Sequence, residues 1–324
     1  MEQKKRQIPL WIQADEAVLG RLCQDHKKRS SLSESLKKCW TGYRGELQLD
    51  YHLSFLPKRE YILLPSARLV VGDKVCQIDS LVITPNVLII IESKNFGGEL
   101  EYDQNLNRLV RRYQNQEISY SDPIMQAKRQ RILLQRWLHE NKFKPCPIDF
   151  LVSLGDATTL ITTNGPKDIF RKIAYVEQIP ERIQGIRLSH KETNLSPYFM
   201  QKLSEQLQKA HTPPDYDPLQ YHGVESKDLI TGVRCPSCSK FPMERIKQAW
   251  FCSHCCAHDP DAHRQAIQEY LLIHRKITNK QCREFLGVHS INKCTRWLQE
   301  LELPSVGAGR HRVYYRDTGR GIYL

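Results

Sequence analysis

Residues 74–98 read KVCQIDSLVITPNVLIIIESKNFGG, and this stretch decides the fold. Lys74–Ile83 has the composition of a strand. Val87–Ile91 is apolar throughout, as expected of a strand covered on both faces. Pro85-Asn86 between them is turn chemistry. Residues i and i+2 of a strand share a face, so Glu92 and Lys94 project together from the end of the buried strand. If the two strands pair through the turn, Asp79 approaches Glu92. Close carboxylates repel unless a cation or a shared proton lies between them, and hard oxygen donors suit Mg²⁺ or Mn²⁺. Lys94 beside them can orient a water and stabilise phosphate charge. Taken alone, Asp…Glu-x-Lys is a weak signal and reads first as a surface salt bridge at a strand end.

Working outward, residues 1–40 are helix-like, with Ala17, Leu19, Leu22 and Cys23 at helical spacing. Glu60–Val70 is strand-like, with Pro65-Ser66 expected to interrupt it. Glu99–Tyr102 and Leu109–Tyr113 read as a hairpin across Asn105–Asn107. Asp122-Pro123 opens a long helix to about Glu140, with Asp122 as N-cap and Pro123 in the first turn. Ile148–Leu154 and Leu160–Thr163 read as further strands, and Leu195–Ala210 as a polar helix. Helices mixed with strands indicate an α/β domain. Leu47, Leu49, Tyr51, Leu53 and Phe55 alternate like a strand, while Leu49, Leu53 and Leu56 fit a helical stripe.

Four motifs occur in order: Gly42-Tyr43-Arg44-Gly45-Glu46, Gln77-Ile78-Asp79, Ile91-Glu92-Ser93-Lys94-Asn95-Phe96-Gly97-Gly98, and Asp122-Pro123-Ile124-Met125-Gln126. This succession, over about Gly42 to Leu138, resembles the nuclease-related domain family of the wider PD-(D/E)xK restriction-endonuclease-like group. The resemblance implies a mixed sheet flanked by helices. It implies a divalent metal, Mg²⁺ or Mn²⁺, on Asp79 and Glu92, with the Ser93 carbonyl as a further ligand. Glu46 would contribute from the first core helix, directly or through water, and Lys94 would handle the nucleophile. Gln126 matches the family's glutamine on the following helix, where capping or packing is an equally good role. The resemblance also selects helix for the segment around Leu47–Phe55, and Gly42 and Gly45, mildly unfavourable inside a helix, put its start near Thr41–Arg44. Ser93 departs from the family's usual Thr or Tyr, and Asp122 from its usual Asn.

Cys235-Pro236-Ser237-Cys238 and Cys252-Ser253-His254-Cys255 are two C-x₂-C turns separated by 13 residues. Two such turns joined by a short hairpin present four thiolates tetrahedrally, the arrangement of a structural Zn²⁺ in a zinc ribbon. Lys247–Phe251 reads as the strand entering the second turn. Cys256 can replace Cys255 as the fourth ligand, and a redox pair is the competing reading. Beyond it, Ala266–Arg275, a short helix capped by Thr278 and ended by Gly287, a helix Ile291–Leu301 capped by Ser290, and a hairpin over residues 305–315 follow in order. That order resembles a winged helix-turn-helix. Its third helix would present Asn292, Lys293 and Arg296 to a major groove, and the hairpin Arg310, His311 and Arg312 to phosphates. Packing against protein is the competing reading for this module.

Lys and Arg exceed Asp and Glu by 12 over the 324 residues, which favours polyanionic partners. From His263 to the C-terminus 11 basic residues face 5 acidic ones, so half of the excess lies there. An odd number of cysteines, 11, without a secretory signal pattern argues for reduced thiols and a cytoplasmic protein. The longest apolar run is too short to span a bilayer. The expected division is a nuclease-related domain at 1–212 (core 42–138), a Pro/Asp-rich linker at 213–232, a zinc ribbon at 233–260 and a winged-helix-like module at 263–324. The expected function is metal-dependent hydrolysis of DNA phosphodiester bonds, with the C-terminal modules recruiting the enzyme to nucleic acid; RNA as the nucleic acid and a protein partner for those modules stay open. Two alternatives stand beside it: a DNA-binding regulator with a silent nuclease-like domain, and an interaction protein.

Overall fold

The computed structural model describes residues 5–114, 116–155, 158–190 and 195–317. Elements are numbered in chain order. Helices α1 (Leu10–Arg21) and α2 (Arg29–Leu53) precede strands β1 (Ile62–Val71), β2 (Lys74–Ile83), β3 (Leu88–Lys94), β4 (Glu99–Asp103), β5 (Arg108–Tyr113) and β6 (Gln116–Ser121). Next come α3 (Pro123–Glu140), β7 (Ile148–Leu154), β8 (Leu160–Thr163), β9 (Ile173–Tyr175), α4 (Ile179–Ser189), α5 (Pro197–Ala210) and α6 (Pro218–His222). The last third holds β10 (Glu244–Ile246), β11 (Ala249–Phe251), β12 (His258–Asp259), α7 (Ala262–His274), β13 (Lys276–Thr278), α8 (Asn279–Leu286), α9 (Ile291–Glu300), β14 (Ser305–Val306) and β15 (Val313–Tyr315). Among the described residues no helix is long and apolar enough to cross a membrane.

The chain divides into two compact units. One holds the residues up to Gln7 with Trp40–Pro214, the other Ile8–Cys39 with Asp215 onward. In the first, a five-stranded mixed sheet runs β1-β2-β3-β7-β9. β1, β2 and β3 pair antiparallel, and β3–β7 and β7–β9 pair parallel. Helices cover both faces. Leu88 and Ile90 of β3 join the apolar cluster with α3 and α5, while Ile89 and Ile91 join Leu49 and Leu53 of α2 and Ile179 and Ile183 of α4. The apolar run of β3 is thus explained by burial on both sides. A second sheet in this unit has the order β6-β5-β4-β8.

The helical reading holds as far as Leu53, where α2 ends and a turn carries Phe55: Leu49 and Leu53 are buried, and Leu47 and Tyr51 are exposed. The helix begins at Arg29 rather than near Thr41–Arg44, because Gly42 and Gly45 are accommodated within it. A Cβ on Gly45 would lie 2.6 Å from the Asn95 Cβ, so glycine here permits the helix to approach the end of β3. Pro65-Ser66 does not end β1. Pro65 is tolerated because β1 is an edge strand. Ser66 takes a left-handed φ of 56° and kinks the ladder opposite Asp79.

In the second unit, α1 packs through Ala17, Val18 and Leu22 against Val224, Leu229 and Ile273. Arg21, fully buried, bonds the carbonyls of Ile230 and Gly232 and pairs with Glu269 at 2.7 Å. These contacts place residues 8–39 with the C-terminal elements, whereas the sequence suggested the N-terminal domain. The stretch read as linker contains α6, capped by the Asp217 carboxylate. The sheets β10-β11-β12 and β13-β15-β14 share one apolar cluster containing Trp250, Ile267, Phe285, Trp297 and Tyr314. α7 begins at Ala262, four residues before the expected start.

Candidate functional site

The β2–β3 register places Ser80 opposite Ile91. Asp79 and Glu92 lie one step further, where the ladder ends. Glu92 is 1% exposed and points, like Ile90, toward α3. Its Oε1 is 2.7 Å from Lys94 Nζ, and its Oε2 accepts from Gln130 Nε2 at 2.7 Å. Lys94 Nζ also donates to Gln126 Oε1 at 3.3 Å. Asp79 Oδ2 accepts the Ser93 N–H at 2.9 Å. Asp79, Glu92, Ser93, Lys94 and Gln126 are therefore gathered at one sheet end.

α3 can supply Gln126 and Gln130 because its start is fixed. Asp122 Oδ1 accepts from Ile124 N at 2.7 Å and Met125 N at 3.2 Å, while Asp122 Oδ2 accepts the Tyr102 hydroxyl at 2.6 Å. Gln130 follows Gln126 by one helical turn, and that i, i+4 spacing was the signal that could have found it.

Glu46 meets a residue that sequence reasoning missed. Arg6 Nη1 lies 2.6 Å from Glu46 Oε2, and Nε and Nη2 grip both Asp50 oxygens at 2.7 and 2.9 Å. Nη2 also donates to the Asp79 carbonyl and the Ser80 hydroxyl. Asp50 shares the Glu46 face of α2 at i+4, which was readable. Nothing in the pattern around Arg6 announced its contacts.

The charges interact strongly. Burial, then Glu92 and Glu46, push the Asp79 carboxyl up to about 8, against the opposing Ser93 N–H and Lys94. Burial also raises Glu46, helped by Asp50 and Glu92 and opposed by Arg6. Burial pulls Arg6 down, but the Asp50 hydrogen bond and the charges of Glu46, Asp50 and Asp79 raise it above its ordinary value. Converging carboxylates that hold a proton at neutral pH are sites where a hard cation can take its place.

The four cysteines converge as the spacing predicts. One ligand atom from each of Cys235, Cys238, Cys252 and Cys255 lies within 4.8 Å of every other. Cys235 and Cys255 Sγ are 3.6 Å apart, and Cys238 and Cys252 Sγ 3.5 Å. A tetrahedral ion with Zn–S of about 2.3 Å needs sulfurs roughly 3.8 Å apart. The two turns are equivalent: Ser239 N bonds Cys235 O, and Cys256 N bonds Cys252 O, with left-handed φ values of 59° and 58° at Ser239 and Cys256. Cys256 thus serves through its backbone while Cys255 joins the cluster. No cysteine is paired in a disulfide.

In the C-terminal module, Asn292, Lys293 and Arg296 are exposed on α9, and Cys294, Trp297 and Leu298 face the core. Ser290 caps the helix. Arg310 and His311 lie exposed in a 3₁₀ turn between β14 and β15, and Arg312 is half-buried.

Residues 41–154 match the family model of the nuclease-related domain, which spans Glu46, Asp79, Glu92, Lys94 and Gln126 but not Arg6. The chain therefore carries a nuclease-related domain. No curated protein and no solved structure matches the chain.

Proposed function

We propose that the nuclease-related domain is a metal-dependent nuclease that hydrolyses DNA phosphodiester bonds. The observation that carries this reading is the convergence of Asp79 and Glu92 beside Lys94, with the Asp79 carboxyl raised to about 8. The donors fit a hard divalent cation: two carboxylates and the Ser93 carbonyl, all oxygen, suit Mg²⁺ or Mn²⁺. Such an ion, when bound, supplies Lewis-acid stabilisation of phosphate charge and a lower water pKa.

The protein's own groups do the positioning. Glu92 is locked by Gln130 and Lys94, so one buried carboxylate is fixed before substrate arrives. Lys94 stands half-buried with an ammonium that can orient a water and meet the charge developing on a phosphoryl oxygen. Gln126 steadies that ammonium. Glu46 lies within electrostatic reach of Asp79 and Glu92.

In the second unit the four cysteines hold a structural Zn²⁺, since four thiolates leave no open position. The order α7-β13-α8-α9-β14-β15, with sheet order β13-β15-β14, supports a winged-helix reading. α9 then presents Asn292, Lys293 and Arg296 to base edges and phosphates, and Arg310, His311 and Arg312 contact the backbone.

The test is Lys94→Ala assayed for cleavage and DNA binding side by side. A loss of about 10²–10³ in rate, the usual effect of removing one charge-stabilising group, with binding retained supports the assignment. Undiminished cleavage overturns it.

A further inference from the structure

Arg6 lies outside the segment that matches the nuclease-related domain, yet its side chain is 2% exposed. It makes five side-chain hydrogen bonds, to Glu46, to both oxygens of Asp50, to the Asp79 carbonyl and to the Ser80 hydroxyl. A surface arginine forming an incidental ion pair does not bury its guanidinium this completely. A guanidinium also cannot deprotonate, and its planar fork matches a carboxylate edge.

The charges at the site can be followed oxygen by oxygen. Four carboxylates, Glu46, Asp50, Asp79 and Glu92, meet two cations, Arg6 and Lys94. Arg6 engages Glu46 Oε2 and both Asp50 oxygens. Lys94 and Gln130 engage the two Glu92 oxygens, and the Ser93 N–H engages Asp79 Oδ2. Four carboxylates at one sheet end are enough donors for a pair of divalent ions, which in two-metal sites sit about 3.5–4 Å apart. Here half of those donors already face a permanent cation.

Resting on the metal reading above, we propose that Arg6 is the built-in second cation of this site. It neutralises Glu46 and Asp50, fixes them in place, and restricts the cluster to one divalent ion on the Asp79–Glu92 side. A second ion would have to displace a buried guanidinium, leaving that charge without its partners, which is strongly unfavourable. Arg6 is in this sense a positioning residue contributed by the N-terminal segment.

The experiment counts ions directly. Zinc-loaded full-length protein is titrated with Mn²⁺ and the bound ion is measured by electron paramagnetic resonance, with zinc assayed separately and folding checked by circular dichroism. The wild type is expected to bind one Mn²⁺, Asp79→Ala none, and Arg6→Gln two. Adding Asp50→Asn to Arg6→Gln is expected to remove the second ion. Two ions on the wild type, or one ion on folded Arg6→Gln, overturn the inference while leaving the metal reading intact. No Mn²⁺ on the wild type overturns both. Should Arg6→Gln fail to fold, Asp50→Asn alone decides: one ion retained supports the inference, because Asp50 serves Arg6 and not the metal, and loss of that ion overturns it.

Discussion

Asp79→Asn should make the protein more stable and inactive at once. In the absence of added Mg²⁺ or Mn²⁺, the Asp79 carboxyl titrates near 8 in the folded chain, against an ordinary value of 3.8, chiefly because it is buried and then because Glu92 and Glu46 are close. The sign follows from linkage. An acid whose folded pKa is raised favours the folded state when protonated, so stability falls as pH rises from about 4 to about 8 and then levels. At about 1.4 kcal/mol per unit, the whole window is worth on the order of 5 kcal/mol. Asparagine keeps an oxygen for the Ser93 N–H and carries no charge, so the variant should lose this slope. At pH 8 its nuclease-related unit should melt on the order of 10 °C above wild type, using roughly 2–4 °C per kcal/mol for a unit of this size. The assay is thermal unfolding of zinc-loaded protein at pH 5 to 9, with and without Mg²⁺. Mg²⁺ should raise the wild-type melting temperature and leave the variant unchanged. A variant with the wild-type pH slope, or one less stable than wild type at pH 8, refutes the reasoning.

Gln130→Leu removes the donor to the buried Glu92 Oε2 and should cost about 1–3 kcal/mol, read as a lower denaturation midpoint without added metal. Cys252→Ser should release zinc in a colorimetric assay and unfold the second unit, because Cys252 belongs to its apolar core and metal binding there is also folding free energy. Trp297→Ala should destabilise that unit by about 3–5 kcal/mol, since Trp297 packs on Trp250 and His263 at 5.9 and 4.2 Å between ring centroids. Lys293→Ala with Arg296→Ala should weaken DNA binding and flatten its salt dependence by up to about 0.9 for each phosphate that is no longer neutralised. An unchanged slope in fluorescence anisotropy would remove α9 from the interface.

What was legible in the sequence was local. The β2–β3 hairpin was written in the apolar run and Pro85-Asn86, and the start of α3 in Asp122-Pro123. The cysteine cluster was written in two identical spacings. These features depend on neighbours a few residues apart, where propensity and spacing act directly. The contacts that escaped reading join distant segments. Arg6 reaches residues 40 to 74 positions away, and no periodicity encodes such a pairing. β4 pairs in parallel with β8 across α3 and β7, a crossover that neither strand announces. The kink at Ser66 was suspected as an interruption, yet the ladder resumes on both sides of it. The apolar residues of α1 show helical spacing and no more. Only the buried Arg21, with its partners more than 200 positions away, shows which core it serves.

The central claim is tested most directly by incubating the purified chain with linear, circular and single-stranded DNA, with Mg²⁺ or Mn²⁺ and with a chelator, beside Asp79→Ala. Cleavage by the wild type that requires the divalent ion and disappears in the variant is the predicted result. Absence of cleavage on every substrate, or equal cleavage by Asp79→Ala, would contradict the account.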